Sequence, residues 1–188
     1  KDKPNFHPNR APVLSFRTPS GPYEVYGFDL ITLPPTDFGN KYVMVMIDFF
    51  SKFAYCEPLK SRNSNYLLSK FRNVIFKNPF FPKKVVLDNA REHLELAKFM
   101  KDNKIEPHFT PPRHPSSNGQ VENFNRTLKS RLRAKCKYEN WDLILQEVLH
   151  DINASEHSVT QKSPFFIQSG AECPHNIFDP NYRNYNLD

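Results

Sequence analysis

Apolar and polar positions along the chain follow two different periods, and the switch between them predicts the elements. KYVMVMIDFF (41–50) is an almost unbroken apolar run, the pattern of a strand covered on both faces. YEVYGFDLITL (23–33) and KFAYCEPL (52–59) have strand composition, with Thr36, Asp37, Phe38, Gly39 and Asn40 supplying a turn between the first two strands. In NSNYLLSKFRNVIF (63–76), Leu67, Leu68, Phe71, Val74 and Ile75 recur at helical spacing. KKVVLDN (83–89) is a short β-branched strand, EHLELAKFMKDN (92–103) a helix with Leu96, Phe99 and Met100 inward, and KIEPHFT (104–110) a fifth strand. Helices are predicted over 118–136, over about 141–154 and from Ser163, the second of them with Trp141, Leu143, Leu145, Val148 and Leu149 toward the core. The order βββαβαβα followed by helices predicts an α/β domain: a mixed five-stranded sheet, led by an antiparallel meander and flanked by helices.

The ends behave differently. Residues 1–22 hold five prolines without periodicity and read as an extended leader. Residues 171–188 are Asn- and Tyr-rich, lack a helical stripe, and form a tail. The span 23–170 between them is one domain, long enough to bury about 70% of its unfolded surface. No apolar run approaches the length of a membrane helix. Cys56, Cys136 and Cys173 lie far apart with no metal-ligand spacing, and read as reduced thiols. The net charge of +6 points toward a polyanionic partner without deciding it.

Four acids stand out among the 20. Asp29 and Asp48 interrupt apolar strands, and Asp88 ends VVLD; a charge in such a place is costly unless paired or metal-bound. Glu122 lies on the helix 118–136, where Val121, Phe124, Leu128 and Leu132 make a buried stripe and Glu122, Arg126, Lys129 and Arg133 a second, polar one. From Arg113 to Lys137 seven Lys or Arg face that one Glu. An ordinary solvated face with an i,i+4 ion pair accounts for part of this. One acid at the first turn with only cations beyond it also suits a metal at one end and a phosphate backbone along the rest.

GFDLITLPPTDFGNKYVMVMIDFFSKFAYCEPL, VVLDNAREH, HFTPPRHPSSNGQVENFNRTLKSRL and NASEHSVTQKSPFFIQSG together resemble the catalytic core of retroviral-type integrases. The likeness is greatest to Ty3/Gypsy LTR retrotransposon integrases, with Polinton-type and host-domesticated integrases as near relatives. It implies an RNase H-like fold and an acid triad of Asp29, Asp88 and Glu122, with Asp48 structural. It further implies two Mg²⁺ ions, or Mn²⁺ in their place, roughly 4 Å apart on those acids, with Asp29 bridging both. Water would attack when an element end is trimmed, and the freed 3′-hydroxyl when that end joins target DNA. Asn118 stands at a polar DNA-contacting position, Arg126 and Lys129 match basic positions that hold element-end DNA, Asn125 matches a polar helix position near the site and is counted with the DNA contacts, and Arg91 falls at a target-DNA position; Arg133 extends the basic stripe. The resemblance implies a nuclear site of action with a cytoplasmic particle stage, a homo-oligomer that handles two DNA ends, and a host tethering protein.

The chain also departs from the family. The 33 residues between Asp88 and Glu122 fall slightly short of the family's spacing, and Ala90 stands where a glycine usual to the family would follow Asp88 and Asn89. His93, His108 and His114 have no cysteines at ligand spacing and read as structural or DNA-adjacent, so no zinc site is expected. Neither the family's upstream zinc module nor a C-terminal SH3-like or chromodomain module is recognisable, which reads as an excised core or processed segment. Two other readings remain: an RNase H-fold nuclease, against which NGQVENFNRTLK argues, and a domesticated core kept for DNA or protein binding, against which the survival of all three acids argues.

Overall fold

The computed structural model describes residues 19–110 and 119–173, apart from the side chain of Arg91. Asn118, His114, most of the leader and most of the tail lie outside the described residues.

The five strands form where β-branched and aromatic runs predict them: β1 (Val25–Thr32), β2 (Tyr42–Asp48), β3 (Ala54–Leu59), β4 (Lys84–Asp88) and β5 (Glu106–Thr110). They join in one sheet in the order β3-β2-β1-β4-β5. The meander β1–β3 is antiparallel, while β4 runs parallel to both β1 and β5. β2 is an interior strand, between β3 and β1, and is buried on both faces. Its pleat sends Val43, Val45 and Ile47 into one core and Met44 and Met46 into the other.

Helices cover each face. α1 (Ser64–Lys77) and α2 (Leu94–Asp102) lay Leu67, Phe71, Val74, Ile75, Leu96 and Met100 against Phe28, Met44, Val85 and Leu87. α3 (Gly119–Cys136) and α4 (Trp141–Ala154) lay Val121, Phe124, Leu128, Leu132, Trp141 and Leu145 against Val43, Val45 and Val86. The short α5 (Pro164–Ser169) starts on a Ser163 cap, whose Oγ accepts from Phe166 N at 3.1 Å, and ends at Gly170 with φ 76°.

Three expectations shift. The helix expected from 92 begins at Leu94, because Arg91–His93 first closes a 3₁₀ turn with His93 N donating to Ala90 O at 3.1 Å. β3 begins at Ala54 rather than at Lys52, whose φ of 67° belongs to the turn. Leu143, expected in the core, is 67% exposed, since it falls on the outer side of α4 from Trp141, Leu145 and Val148.

Asp48 is structural, as expected. It is fully buried and accepts from Tyr23 N and Phe50 N at 2.7 Å and from Ser51 N at 3.2 Å, tying the start of β1 to the β2–β3 turn. Burial pushes its carboxyl above the ordinary range, against the pull of those three amides and of Lys52.

The outer edge of β3 is closed by a side chain. Asn153 of α4 accepts from Ala54 N and donates to Ala54 O, both at 2.9 Å, a substitute for a strand rung. Asn153→Leu keeps the branched outline of the side chain, with somewhat more bulk, but leaves both buried Ala54 groups unpaired. The expected cost is about 2–3 kcal/mol in urea denaturation; a loss below about 0.5 kcal/mol, the level of an ordinary surface change, would remove Asn153 from this role.

Candidate active site

β1 and β4 bring the two aspartates together. Their parallel register ends at Gly27↔Val86. Asp29 and Asp88 each lie two residues beyond that last pair, at the same end of the two strands, and the pleat gives Asp29 the face of Gly27 and Val86. That is the α3 face: Val86 packs in the same core as Val121 and Phe124.

The absence of a side chain at position 27 sets how close the helix comes. A Cβ there would lie 2.3 Å from Val121 Cγ2 and 2.5 Å from a ring carbon of Phe49. Glycine therefore lets the first turn of α3 settle onto β1, and Glu122, next to Val121, descends with it. A glycine inside a strand pattern is the sequence signal of such an approach. Charge patterning does not reveal it.

α3 then reaches Asp29 directly. Asn125 Nδ2 donates to Asp29 Oδ2 at 2.7 Å, while Asp29 Oδ1 accepts from Leu30 N at 2.8 Å. Both carboxylate oxygens are thus aimed before any ligand arrives. Asn125, expected among the DNA-binding positions, is buried against the acid, and its Oδ1 is a buried oxygen without a hydrogen-bond partner among the described residues. Asp88 is turned outward, with a side chain 62% exposed, and one oxygen is held by His93 Nδ1 at 2.8 Å. Glu122 is exposed on the first turn of α3.

Among the described residues no three His, Cys, Asp or Glu side chains lie close enough to hold an ion as a group. The fold aligns the acids without drawing them to one point. The donor set still suits a hard cation: carboxylate oxygens on three elements, with the unpaired Asn125 amide oxygen beside Asp29.

The polar stripe of α3 faces outward, but its members part company. Arg126 is exposed and donates to Asn123 Oδ1 at 3.0 Å; no ion pair with Glu122 forms, so that carboxylate stays available. Lys129 is half-buried and Arg133 exposed. Lys135, on the same helix, is taken by Glu147 at 2.6 Å and Asp151 at 2.8 Å of α4 and is not free for a phosphate. Lys52 ties the β2–β3 turn to α3, donating to Phe49 O and to Gln120 Oε1. With Arg126 and His157 it borders a cavity of about 440 Å³. Arg91 opens the 3₁₀ turn just past Asp88.

This arrangement defines a class: an α/β layer with acids on adjacent parallel strands and on the helix laid across them. The chain belongs to the integrase core domain family, which matches residues 19–115. That match holds Asp29 and Asp88 and ends before α3. The chain is 28% identical over 173 residues to the transposon Tf2-3 and Tf2-4 polyproteins of Schizosaccharomyces pombe, covering 88% of this chain and 13% of each polyprotein. It thus spans only a small part of those relatives' length. Among solved structures, the simian T-cell lymphotropic virus intasome in complex with PP2A regulatory subunit B56 gamma superposes with a TM-score of 0.73 at 21% identity, covering 84% of this chain and 58% of that one. The HTLV-2 integrase catalytic core domain in complex with magnesium gives 0.65 at 19% identity, over 79% of this chain and 98% of that one. The fold is RNase H-like.

Proposed function

We propose that this domain is the catalytic core of an LTR-retrotransposon-type DNA integrase, a metal-dependent polynucleotidyl transferase that trims element 3′ ends and joins them to target DNA. The observation that carries the reading is the placement of Asp29 and Asp88 at the same end of two paired parallel strands, under a helix whose Asn125 bonds Asp29 and whose first turn bears Glu122.

Asp29, Asp88 and Glu122 would hold divalent ions, two in the reading favoured here, with Mg²⁺ the natural choice. Bound there, the ions supply charge stabilisation for the attacking and leaving oxygens of an in-line displacement. The chain's own residues do the rest. Asn125 and the Leu30 amide orient Asp29. Arg126, Lys129 and Arg133 offer positive charge for the phosphate backbone of an element end. Asn118 and Arg91 are proposed to meet DNA as well. The working form would be a homo-oligomer in the nucleus, with a host tethering protein as a further partner.

The test is resolution of a branched DNA that mimics the strand-transfer product, in Mg²⁺ or Mn²⁺, beside Glu122→Gln. The chain should resolve the branch, and the variant should be slower by about a hundredfold or more, the rate equivalent of about 3 kcal/mol. DNA binding without resolution, persisting when longer forms of the protein are tried, would replace the enzyme with a DNA-binding module.

A further inference from the structure

Asp29 is oriented by an amide on α3. Asp88 has a counterpart that the acids, the basic stripe and the DNA contacts leave without a role. His93 closes the 3₁₀ turn five residues after Asp88. Its side chain is only 3% exposed, while that of Asp88 is 62% exposed. Its Nδ1 meets two oxygens of the same residue, Asp88 Oδ1 at 2.8 Å and the Asp88 carbonyl at 3.2 Å. Its Nε2 is buried and has no hydrogen-bond partner among the described residues. The ring stands at 87° to Phe28, with centroids 5.1 Å apart, so the residue preceding Asp29 on β1 forms one wall of its seat.

We propose that His93 is a positioning residue for Asp88: its Nδ1–H fixes one carboxylate oxygen and leaves the other free to take a divalent cation. This rests on the reading of Asp88 as a metal ligand. Both acceptors within reach of the ring among the described residues lie at Nδ1, so an N–H belongs there, while Nε2 faces the apolar seat. A ring clamped between Phe28 and the 3₁₀ turn loses little freedom when it holds the carboxylate. Asp88, exposed at a strand end, would otherwise sample several rotamers. Outer groups that fix a ligating carboxylate typically contribute about 10–100-fold in metal affinity. The compact turn after Asp88 is what brings the ring back onto the acid.

Two measurements on the 188-residue chain test this. A long-range ¹H–¹⁵N correlation spectrum of the metal-free protein reads the ring proton directly. A proton on Nδ1 of His93 is expected, and a ring protonated on Nε2 alone overturns the proposal. Mn²⁺ binding, followed by the EPR signal of the free ion, is then compared among wild type, Asp88→Asn, His93→Phe and His93→Asn. Phe keeps the apolar packing without the donor, and Asn places an amide N–H where Nδ1 was. His93→Phe should bind Mn²⁺ about tenfold or more weakly, with His93→Asn recovering most of the loss. If Asp88→Asn weakens Mn²⁺ binding while His93→Phe stays within twofold of wild type, His93 has no such role and the metal reading of Asp88 survives. If Asp88→Asn also leaves binding unchanged, the metal reading itself fails and takes the proposal with it. Should His93→Phe not fold, the wild-type spectrum and His93→Asn decide between the same two answers.

Discussion

Asp29→Asn is expected to abolish branch resolution, by about 10³–10⁴-fold, while leaving the protein folded. The reasoning separates charge from shape. Asn matches the carboxylate in size and still presents one oxygen to Leu30 N or to Asn125 Nδ2, the two donors that now hold Asp29. One of those bonds is lost, at a structural cost of about 1–2 kcal/mol. The chemical loss is larger. An acid that helps hold the cations contributes several kcal/mol of charge stabilisation, and each 1.4 kcal/mol is about tenfold in rate. Thermal melting and the branched-DNA assay should therefore diverge: a small fall in Tm and no measurable product. Activity above a tenth of wild type in a folded Asp29→Asn protein would take Asp29 out of the chemistry.

Gly27→Val should destabilise the domain and silence it together. Position 27 has no room even for a Cβ, which would meet Val121 Cγ2 at 2.3 Å and the Phe49 ring at 2.5 Å and 2.8 Å. A branched side chain must push α3 off β1 or force Phe49 from its seat. Overpacking of this kind costs about 1–3 kcal/mol, and the absence of slack on two sides puts Gly27→Val at the upper end. For a domain of this size that lowers Tm by roughly 6–12 °C. Any lift of α3 also draws Glu122 and Asn125 away from Asp29. Gly27→Ala is the graded control, with a smaller shift in both readouts. An unchanged Tm for Gly27→Val would show that α3 does not rest on β1 as described.

Much of this site was legible before the fold was known, and the parts that were not share one cause. Asp29, Asp88 and Glu122 were named from acids out of place and from a family resemblance. Asn125 was also named, but for DNA, because its position on the helix gives its face and not its neighbour. Asp29 lies 96 residues away in the chain, and only the packing of α3 on β1 makes the bond. His93 was read as structural or DNA-adjacent. A histidine has no periodic signature, and its pairing with Asp88 depends on a 3₁₀ turn that apolar spacing reads as the start of a helix.

What the sequence by itself determined is local and periodic. It set the five strands and the helices to within two or three residues, the two-faced burial of β2, the apolar stripe of α3 and which acids stand out of place. Backbone propensity and side-chain period act over a few residues, so they survive without the fold. The tertiary structure alone decided that β4 lies beside β1, which brings Asp29 and Asp88 to the same end of paired strands, and that Gly27 is the floor on which α3 rests. It also committed Asn153 to the edge of β3 and His93 to Asp88. Each is a contact between a side chain and a partner chosen by packing, and a one-dimensional pattern reports the face a residue presents but not what comes to meet it.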